Sequence, residues 1–409
     1  MRERVITFIF VAIAAILAIM AAWVQPESRT QNLFDDQGQA FYPKFVDPLA
    51  CKALEVVAYD EATATARPFK VEFRNRRWSL PSHFNYPADA QDRLAKTAAA
   101  LMDLRKDSVR SESVADHASF GVIDPLDQKA TSLTGRGKRV TLRDEKGSVL
   151  ADFVLGKAVE GKAGYRYIRV PGQKRTYAVK TDADPSANFE DWIETDLLKL
   201  SAGEIRKITI NNYSINEQLG QLENVERTVL TKQENKWTAS TGRAPRKAAI
   251  DALTGALDTL RIVNVQPKPP ALTKDLRAQE GLMLSMESLL SLRQKGFFVT
   301  PTGQLLSNEG ELIVETDKGL VYTLRFGEIA PGAPGASTGS DDKTSERRYL
   351  FITVSYNDEK AAAYNDGDPS KVRVTGNRLA RELTNRFADW YYVISGADFT
   401  KLRPRAKDL

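Results

Sequence analysis

The sequence predicts an α+β protein in which an N-terminal transmembrane helix is followed by two tandem duplicated domains, each an antiparallel β-meander with helices. Three observations lead to this prediction. An uncharged apolar stretch lies near the N-terminus, apolar and polar residues alternate with the period of half-buried strands, and one pattern of strands and turns occurs twice. One such pattern is a common accident, whereas two in the same order with the same flanks indicate a duplication.

The repeated pattern is a three-strand meander whose first turn ends in Lys-Gly. Val140 and Leu142 are examples of its apolar positions, and Gly147 and Gly319 supply the positive φ that a tight hairpin needs. The corresponding stretches are 139–147, 149–157 and 165–170 in the first half and 311–319, 321–328 and 347–354 in the second half.

The N-terminal segment predicts a membrane anchor. Residues 5–24 contain no charged side chain and would extend roughly 30 Å as a helix, which is the thickness of a bilayer core. Arg2 and Arg4 precede this span, so residues 1–4 are expected in the cytoplasm and everything after the span outside it. A cleaved signal peptide is the alternative, but the apolar stretch is long for one and no small-residue cleavage site follows it.

The remainder is expected to form a stalk and two domains. Residues 25–50 are polar and contain several prolines, which is typical of a stalk, while residues 51–204 and 205–409 form the first and second repeat domains. Four apolar residues of the stalk are expected to dock on the first domain: Phe41, Tyr42, Phe45 and Val46.

The elements before the meander are also expected twice. Strands are predicted at 54–59 and 69–73, with a helix capped by Asp89, and their counterparts are a strand at 205–210 and a helix containing Leu257. The structural repeat positions are Trp78 with Trp237, Gly147 with Gly319, Asp191 with Asp389, and Trp192 with Trp390.

Two segments are expected only in the second domain. They are an inserted amphipathic helix at 280–294 and a loop at 330–346, whose glycine, proline and serine content predicts mobility. The apolar side of the helix is the candidate partner surface, although the same residues could instead cover the second sheet. These residues are Leu282, Met286, Leu289 and Leu290.

The composition excludes several functional classes. The net charge is +5 over 409 residues with no basic stripe, so nucleic-acid binding is not expected. The chain has one cysteine, Cys51, expected to be a small buried residue, and two histidines, His83 and His117, so a multi-histidine metal site is not expected either.

Motifs of known catalytic sites are absent, and we assign no catalytic, cofactor-binding or metal residue. His83 is expected to be a packed or solvated loop residue, with a place in a pocket as the alternative.

Several motifs point to a known family. They include Leu-Gly-Lys at 155–157, Tyr-x-Tyr-Ile-Arg-Val at 165–170, Phe-x-Asp-Trp-Ile at 189–193, and Tyr-Thr-Leu-Arg-Phe-Gly-Glu at 322–328. With the anchor, these motifs resemble the bacterial family called domain of unknown function 4340. The resemblance implies a single-pass protein of the bacterial cytoplasmic (inner) membrane with an extracytoplasmic body. It also implies a partner, because genes of this family often neighbour those for an ABC-2-type transporter and a gliding-motility-type auxiliary protein.

We therefore expect a non-catalytic accessory protein, anchored in the membrane by residues 5–24, that binds an ABC transporter permease or auxiliary subunit or acts in a cell-envelope complex. The alternative is an extracytoplasmic module that binds a glycan or peptide in the cleft between the two domains, and a cleft lined by Trp and Tyr would favour it. An enzyme is the least favoured alternative, because it would need a pocket where distant acids or His83 converge.

Overall fold

The structure is a computed structural model that describes residues 14–15, 36–216, 219–234, 236–278, 284–331, 346–364 and 369–409. The predicted tail at 1–4 and almost all of the predicted anchor at 5–24 lie outside these residues, as does most of the predicted loop at 330–346. Within the described ranges, no helix is both long enough and apolar enough to cross a bilayer.

The first half of the chain forms an antiparallel sheet of nine strands within the described residues. The strands are β1 (Ala53–Asp60), β2 (Thr65–Arg74), β3 (Arg77–Leu80), β4 (Tyr86–Pro87), β5 (Ser108–Ser111), β6 (Lys138–Arg143), β7 (Val149–Ala158), β8 (Tyr165–Arg169) and β9 (Thr176–Lys180). Their order across the sheet is β4-β3-β2-β1-β6-β7-β8-β9-β5.

The second half forms an antiparallel sheet of eight strands, counted over the same described ranges, and a separate hairpin. The strands are β10 (Ile205–Asn216), β11 (Gln221–Gln233), β12 (Lys236–Ala239), β13 (Asn264–Pro267), the hairpin β14 (Phe297–Val299) and β15 (Leu305–Ser307), then β16 (Glu311–Thr316), β17 (Leu320–Ile329), β18 (Arg347–Tyr356) and β19 (Trp390–Ser395). The order across this sheet is β12-β11-β10-β16-β17-β18-β19-β13.

The two sheets have the same connectivity. Apart from β4, each strand of the first sheet has a counterpart that occupies the same place in the order of the second. Strands β5 and β13 illustrate this, because each follows a helix in the chain and lies at the edge of its sheet, paired with β9 and β19 respectively. The protein is therefore a mixed α and β protein built on antiparallel sheets.

Eight α-helices lie in the part of the chain that the structure describes from residue 36 onwards. They are α1 (Gln91–Met102), α2 (His117–Phe120), α3 (Lys247–Asp258), α4 (Pro270–Ala278), α5 (Met286–Arg293), α6 (Asp358–Tyr364), α7 (Pro369–Ala388) and α8 (Gly396–Leu402). Helices α1 and α3 occupy the same position in the chain order of the two halves and bury their apolar residues in the core. Helix α7 packs on β18, where the Thr384 hydroxyl donates to the Val354 carbonyl at 3.3 Å.

Two of the predicted helix starts are wrong. Helix α1 begins one residue later than an Asp89 cap requires, with Ala90 at the N-cap and no side-chain cap. The Asp89 amide instead donates to the Trp192 carbonyl at 2.8 Å. The inserted helix begins at Met286 rather than at 280, because the Ser285 side chain caps it by accepting from the Ser288 amide at 3.2 Å.

The repeat positions divide into matched and unmatched pairs. Trp78 and Trp237 are each the second residue of a short strand, paired with Phe73 on β2 and with Lys232 on β11. The predicted pairing of Trp192 with Trp390 is wrong. Trp192 ends a 3-10 turn beyond β9, whereas Trp390 opens β19, which is the counterpart of β9 itself.

The glycines of the two meanders match. Gly147 and Gly319 both have positive φ, +83° and +75°, in the first turn of their meanders. The Gly147 amide donates to Asp144 at 3.0 Å and the Gly319 amide donates to Thr316 at 3.1 Å, so both close the same kind of turn.

The described end of the predicted stalk packs against the first sheet. Phe41 makes edge-to-face contacts with Phe153 at 5.5 Å and Tyr177 at 5.2 Å, and the Tyr42 hydroxyl donates to the Asp152 carbonyl at 2.6 Å. Phe45 is buried as expected, whereas Val46 is exposed. Residues 36–45 are thus part of the folded body.

One continuous apolar core connects both halves, from Phe45 to Leu409. The rings of Tyr86 and Trp390 meet across it at 5.1 Å. A second, smaller core lies on the other face of the second sheet, where α4, α5 and the β14–β15 hairpin cover β18 and β19. Its buried members are Leu272, Leu292, Phe297, Leu305, Ala330, Tyr349, Phe351, Tyr391 and Val393. The segment between β13 and β16 therefore covers one face of the sheet.

Candidate functional site

The predicted partner surface lies on helix α5. Leu292 points into the smaller core, and the Ser291 hydroxyl is hydrogen-bonded to the Tyr391 hydroxyl at 3.1 Å. Leu289 and Leu290 lie three and four residues after Met286. The side chains of Met286, Leu289 and Leu290 are 70%, 38% and 54% exposed. We call these three residues the α5 face. Leu282, the fourth predicted member, lies outside the described residues.

The exposure of the α5 face bears on the prediction that these apolar residues cover the second sheet. The helix does cover the second sheet, but it does so through Leu292 and the buried Ser288 rather than through Met286, Leu289 or Leu290. Three large apolar side chains on one helix of eight residues remain in water. Apolar residues scattered singly on a surface are ordinary, whereas a contiguous group is typical of an interaction surface.

A second feature is a cavity of about 550 Å³ between the two halves of the chain. Strand β2, the loop after β3 and the 3-10 turn Phe189–Trp192 form its first wall. The edge strand β13 and the start of β18 form its opposite wall. We call this cavity the cleft. Pockets of this size, placed where two parts of a protein meet, are the usual position of small-molecule sites.

His83 lines the cleft in a defined protonation state. The Ser82 hydroxyl accepts from the Lys70 amide at 3.1 Å and lies 3.3 Å from the Lys70 carbonyl. Nδ1 of His83 is hydrogen-bonded to the same hydroxyl at 3.0 Å, and the tautomer of the ring sets which of the two atoms donates. Burial lowers the pKa of His83, so the ring is neutral at neutral pH. The ring packs on Phe189 at 4.7 Å.

Phe84 is held in the cleft by unusual backbone geometry. Phe84 and Asn85 are consecutive left-handed residues, with φ of 56° and 61°, and the Phe84 side chain is 55% exposed. Left-handed geometry at a non-glycine residue costs on the order of 1–2 kcal/mol, and for Asn somewhat less. The backbone thus holds an apolar ring in water beside the cleft at a conformational cost, in a turn of the kind that Asn75 and Arg76 also form between β2 and β3.

The polar lining of the cleft is only partly satisfied. Arg67 is paired with Asp60. The Arg347 guanidinium and the Glu190 carboxylate, by contrast, form no hydrogen bond or ion pair with any residue in the described ranges. The Asn188 side chain is likewise without a partner there. The cleft therefore offers free donors and free acceptors around an exposed ring.

The Phe-x-Asp-Trp motifs differ in what they do. Trp192 is fully buried, and its indole N–H donates to the Ser186 carbonyl at 3.1 Å, while Asp191 accepts from the Ser186 hydroxyl and faces the cleft. Asp389 accepts from Arg277 at 2.7 Å through both oxygens, and Trp390 is half-buried. The first motif therefore closes a turn beside the cleft, and the second binds the insert to the second sheet.

Other candidate residues have structural environments. Cys51 is buried and free, as predicted, and burial raises the pKa of its thiol to about 11. The His117 ring is buried, with Nε2 2.8 Å from the Lys174 carbonyl. No group of three or more His, Cys, Asp or Glu side chains that could hold a metal ion occurs among the described residues.

Sequence reasoning found His83 as a pocket alternative but did not find the residues that surround it. Asn188 and Arg347 lie far from His83 in the chain, and only the folded order of β2, β13 and β18 brings them to the same cleft. The one local signal was the aromatic stretch 81–87, which contains Phe84 and is bounded by two prolines.

Comparison with known proteins gives one family. The model of the family described as "Domain of unknown function (DUF4340)" matches residues 78–280, about half of the chain. This range runs from β3 past the end of α4, so it includes His83 and Phe84 and ends before α5. Comparisons with curated proteins and with solved structures returned no match. On the strength of this family match, the chain belongs to the DUF4340 family.

Proposed function

We propose that this protein is a non-catalytic accessory protein, anchored by residues 5–24 in the bacterial cytoplasmic membrane, whose extracytoplasmic body binds a membrane transporter of the ABC-2 type or its auxiliary subunit. The observation that carries the proposal is the α5 face. A helix that is fixed to the sheet on one side and apolar on the other is the form in which many proteins present a docking surface.

The location of the α5 face supports this role. Helix α5 belongs to the segment between β13 and β16, which has no counterpart of similar structure in the first sheet, where an irregular stretch and the short helix α2 connect β5 to β6. The strand order that the two sheets share does not require α5. We propose that the sheets arose by tandem duplication and that the second copy acquired its binding surface with this insert.

A non-catalytic role agrees with the chemistry of the cleft. Ser82 and His83 are hydrogen-bonded, as a nucleophile and its base would be, but the Ser82 oxygen is also held by the Lys70 amide. No carboxylate among the described residues is hydrogen-bonded to the imidazole, whose ring instead packs on Phe189. The pair therefore fits a structural bridge to β2 better than a nucleophilic dyad.

The proposal is tested by placing charges on the α5 face. Met286→Glu and Leu290→Glu should each weaken association with the transporter by about tenfold or more, because binding would then bury a carboxylate without a partner. Val374→Glu is the matched control, since Val374 is 71% exposed on helix α7, much like Met286 at 70%. All three substitutions should leave the melting temperature unchanged, because none of these side chains is buried.

The measurement is affinity purification of the tagged full chain from gently solubilised membranes, with the associated proteins quantified by mass spectrometry. Enrichment of a transporter permease or auxiliary subunit with the unmodified chain and the Val374 variant, and its loss with both α5 variants, is the expected result. Recovery of the unmodified chain as a free monomer would contradict the proposal, as would equal enrichment with all variants.

A further inference from the structure

The cleft has the features of a ligand site that is distinct from the α5 face. Its volume of about 550 Å³ is within the range of small-molecule pockets, and both halves of the chain line it. The apolar part of its lining includes Phe69, Phe84 and Phe189, with no Trp or Tyr among the described lining residues, and Phe84 is the one of these three rings that is exposed. The ligand must therefore present an apolar surface that can lie against a ring.

The polar groups of the cleft require a ligand with both donors and acceptors. The Glu190 carboxylate accepts hydrogen bonds, the Arg347 guanidinium donates, the Asn188 amide does both, and His83 Nε2 does one or the other according to the tautomer. A hydroxyl group also does both, so a ring that carries several hydroxyls can satisfy all of these groups at once. An aliphatic ligand would leave them unpaired.

The charges of the cleft favour a neutral ligand. Two cationic residues, Arg67 and Arg347, and two anionic residues, Glu190 and Asp191, line it, and Arg67 is also paired with Asp60, so the site carries no excess of positive charge while His83 is neutral. Polyanions bind sites in which Lys and Arg outnumber Asp and Glu, and this site has no such excess. A phosphorylated ligand or a nucleic acid is therefore disfavoured.

The edge strand β13 argues against an extended peptide. A peptide that adds to a sheet edge needs a row of free backbone amides. In β13 the Val265 amide donates to the side chain of Asn264 at 2.8 Å, and Pro267 has no amide proton. The wall of the cleft that could serve as a template for a strand is therefore blocked.

From these observations we propose that the cleft binds a neutral carbohydrate, with one face of a sugar ring packed on Phe84 and its hydroxyls hydrogen-bonded to His83, Arg347 and Asn188. The site does not depend on the proposed transporter contact, because it shares no residue with the α5 face. The aromatic contact supplies apolar area, and the polar groups set the orientation of the ring.

The test uses soluble trisaccharides and the full-length protein. Maltotriose, cellotriose and tri-N-acetylchitotriose are the neutral probes, trigalacturonic acid is the charged comparison, and binding is measured by titration calorimetry. At least one neutral probe should bind. Phe84→Gly should weaken that binding by about tenfold or more, as loss of a central aromatic contact does, and should raise the melting temperature because glycine relieves the left-handed strain.

Matched variants separate binding from folding. His83→Phe keeps a ring against Phe189 but removes the hydrogen-bonding atom Nε2, so it should also weaken binding. Leu133→Ala truncates a residue of the first half that is 57% exposed outside the cleft, and it should change nothing. Met286→Glu should retain full carbohydrate binding even where it abolishes transporter association, so the two proposals can fail separately.

Three results would overturn the inference. They are the absence of binding for every neutral trisaccharide, binding that is unaffected by both Phe84→Gly and His83→Phe, and tighter binding of trigalacturonic acid than of any neutral probe.

Discussion

The two turn glycines allow a quantitative test of how the two halves differ. A methyl group added to Gly147 would meet no atom within 4 Å. The same group on Gly319 would lie 2.6 Å from the Ala361 Cβ atom and 2.9 Å from the Asn357 carbonyl oxygen. The difference arises because α6 packs over the second turn, where the Asn357 amide donates to the Gly319 carbonyl at 2.9 Å.

The expected costs follow from these contacts. Gly147→Ala should reduce the free energy of unfolding by about 1–2 kcal/mol, the cost of a left-handed alanine. Gly319→Ala carries the same backbone cost and adds an overpacking cost of about 1–3 kcal/mol, so its total is roughly 2–5 kcal/mol. Because one core connects both halves, each substitution acts on the same cooperative unit.

Urea denaturation followed by tryptophan fluorescence measures both values. Asparagine variants provide the control, because asparagine tolerates left-handed geometry better than alanine. Gly147→Asn should therefore cost less than Gly147→Ala, while Gly319→Asn should remain costly. Equal losses for the two alanine variants would refute the reasoning, and so would a greater loss at Gly147.

Three further predictions concern single side chains. Trp192→Ala should cost about 3–5 kcal/mol in urea denaturation, as truncation of a fully buried aromatic does, and Trp390→Ala should cost less because Trp390 is only half-buried. Burial lowers the pKa of Lys268 to about 7. Between pH 7 and roughly 10.5 the unfolded chain therefore binds more protons at this residue than the folded chain does. The free-energy penalty for burying Lys268 falls as pH rises through that window. Lys268→Met should therefore stabilise the protein by about 1–4 kcal/mol at pH 6–7, with a gain that shrinks toward pH 10, and a gain independent of pH would contradict this cause. Arg136 donates to several carbonyls of the loop 124–132, so Arg136→Ala should accelerate amide hydrogen exchange in that loop alone, and unchanged exchange there would show that the loop does not depend on it.

Much of the strand pattern could be read from local sequence. Alternation around Val140 and Leu142 predicted β6, and both residues are fully buried. Gly147 and Gly319 predicted the two turns, because a left-handed residue in a hairpin is a local requirement of the backbone. Signals of this kind depend on residues that are neighbours in the chain, so they can be recognised without knowledge of the fold.

The remaining features depend on contacts between distant residues. The pairing of Trp192 with Trp390 rested on similar letters, but a 3-10 turn and a strand place them on different elements. The apolar pattern of α5 could not show which side faces the sheet, since Leu292 and the α5 face are equally apolar. No local sequence pattern identifies Asn188 and Arg347 as residues of the cleft.

The central claim is that the α5 face contacts a partner in the membrane, and site-specific photo-crosslinking tests it most directly. A photoreactive amino acid placed at position 290 in the full chain, in living cells, should form a crosslink to a transporter permease or its auxiliary subunit. The same amino acid at position 374, which is exposed on α7, should not form that crosslink. Equal crosslinking to that protein from both positions, or none from position 290, would contradict the account.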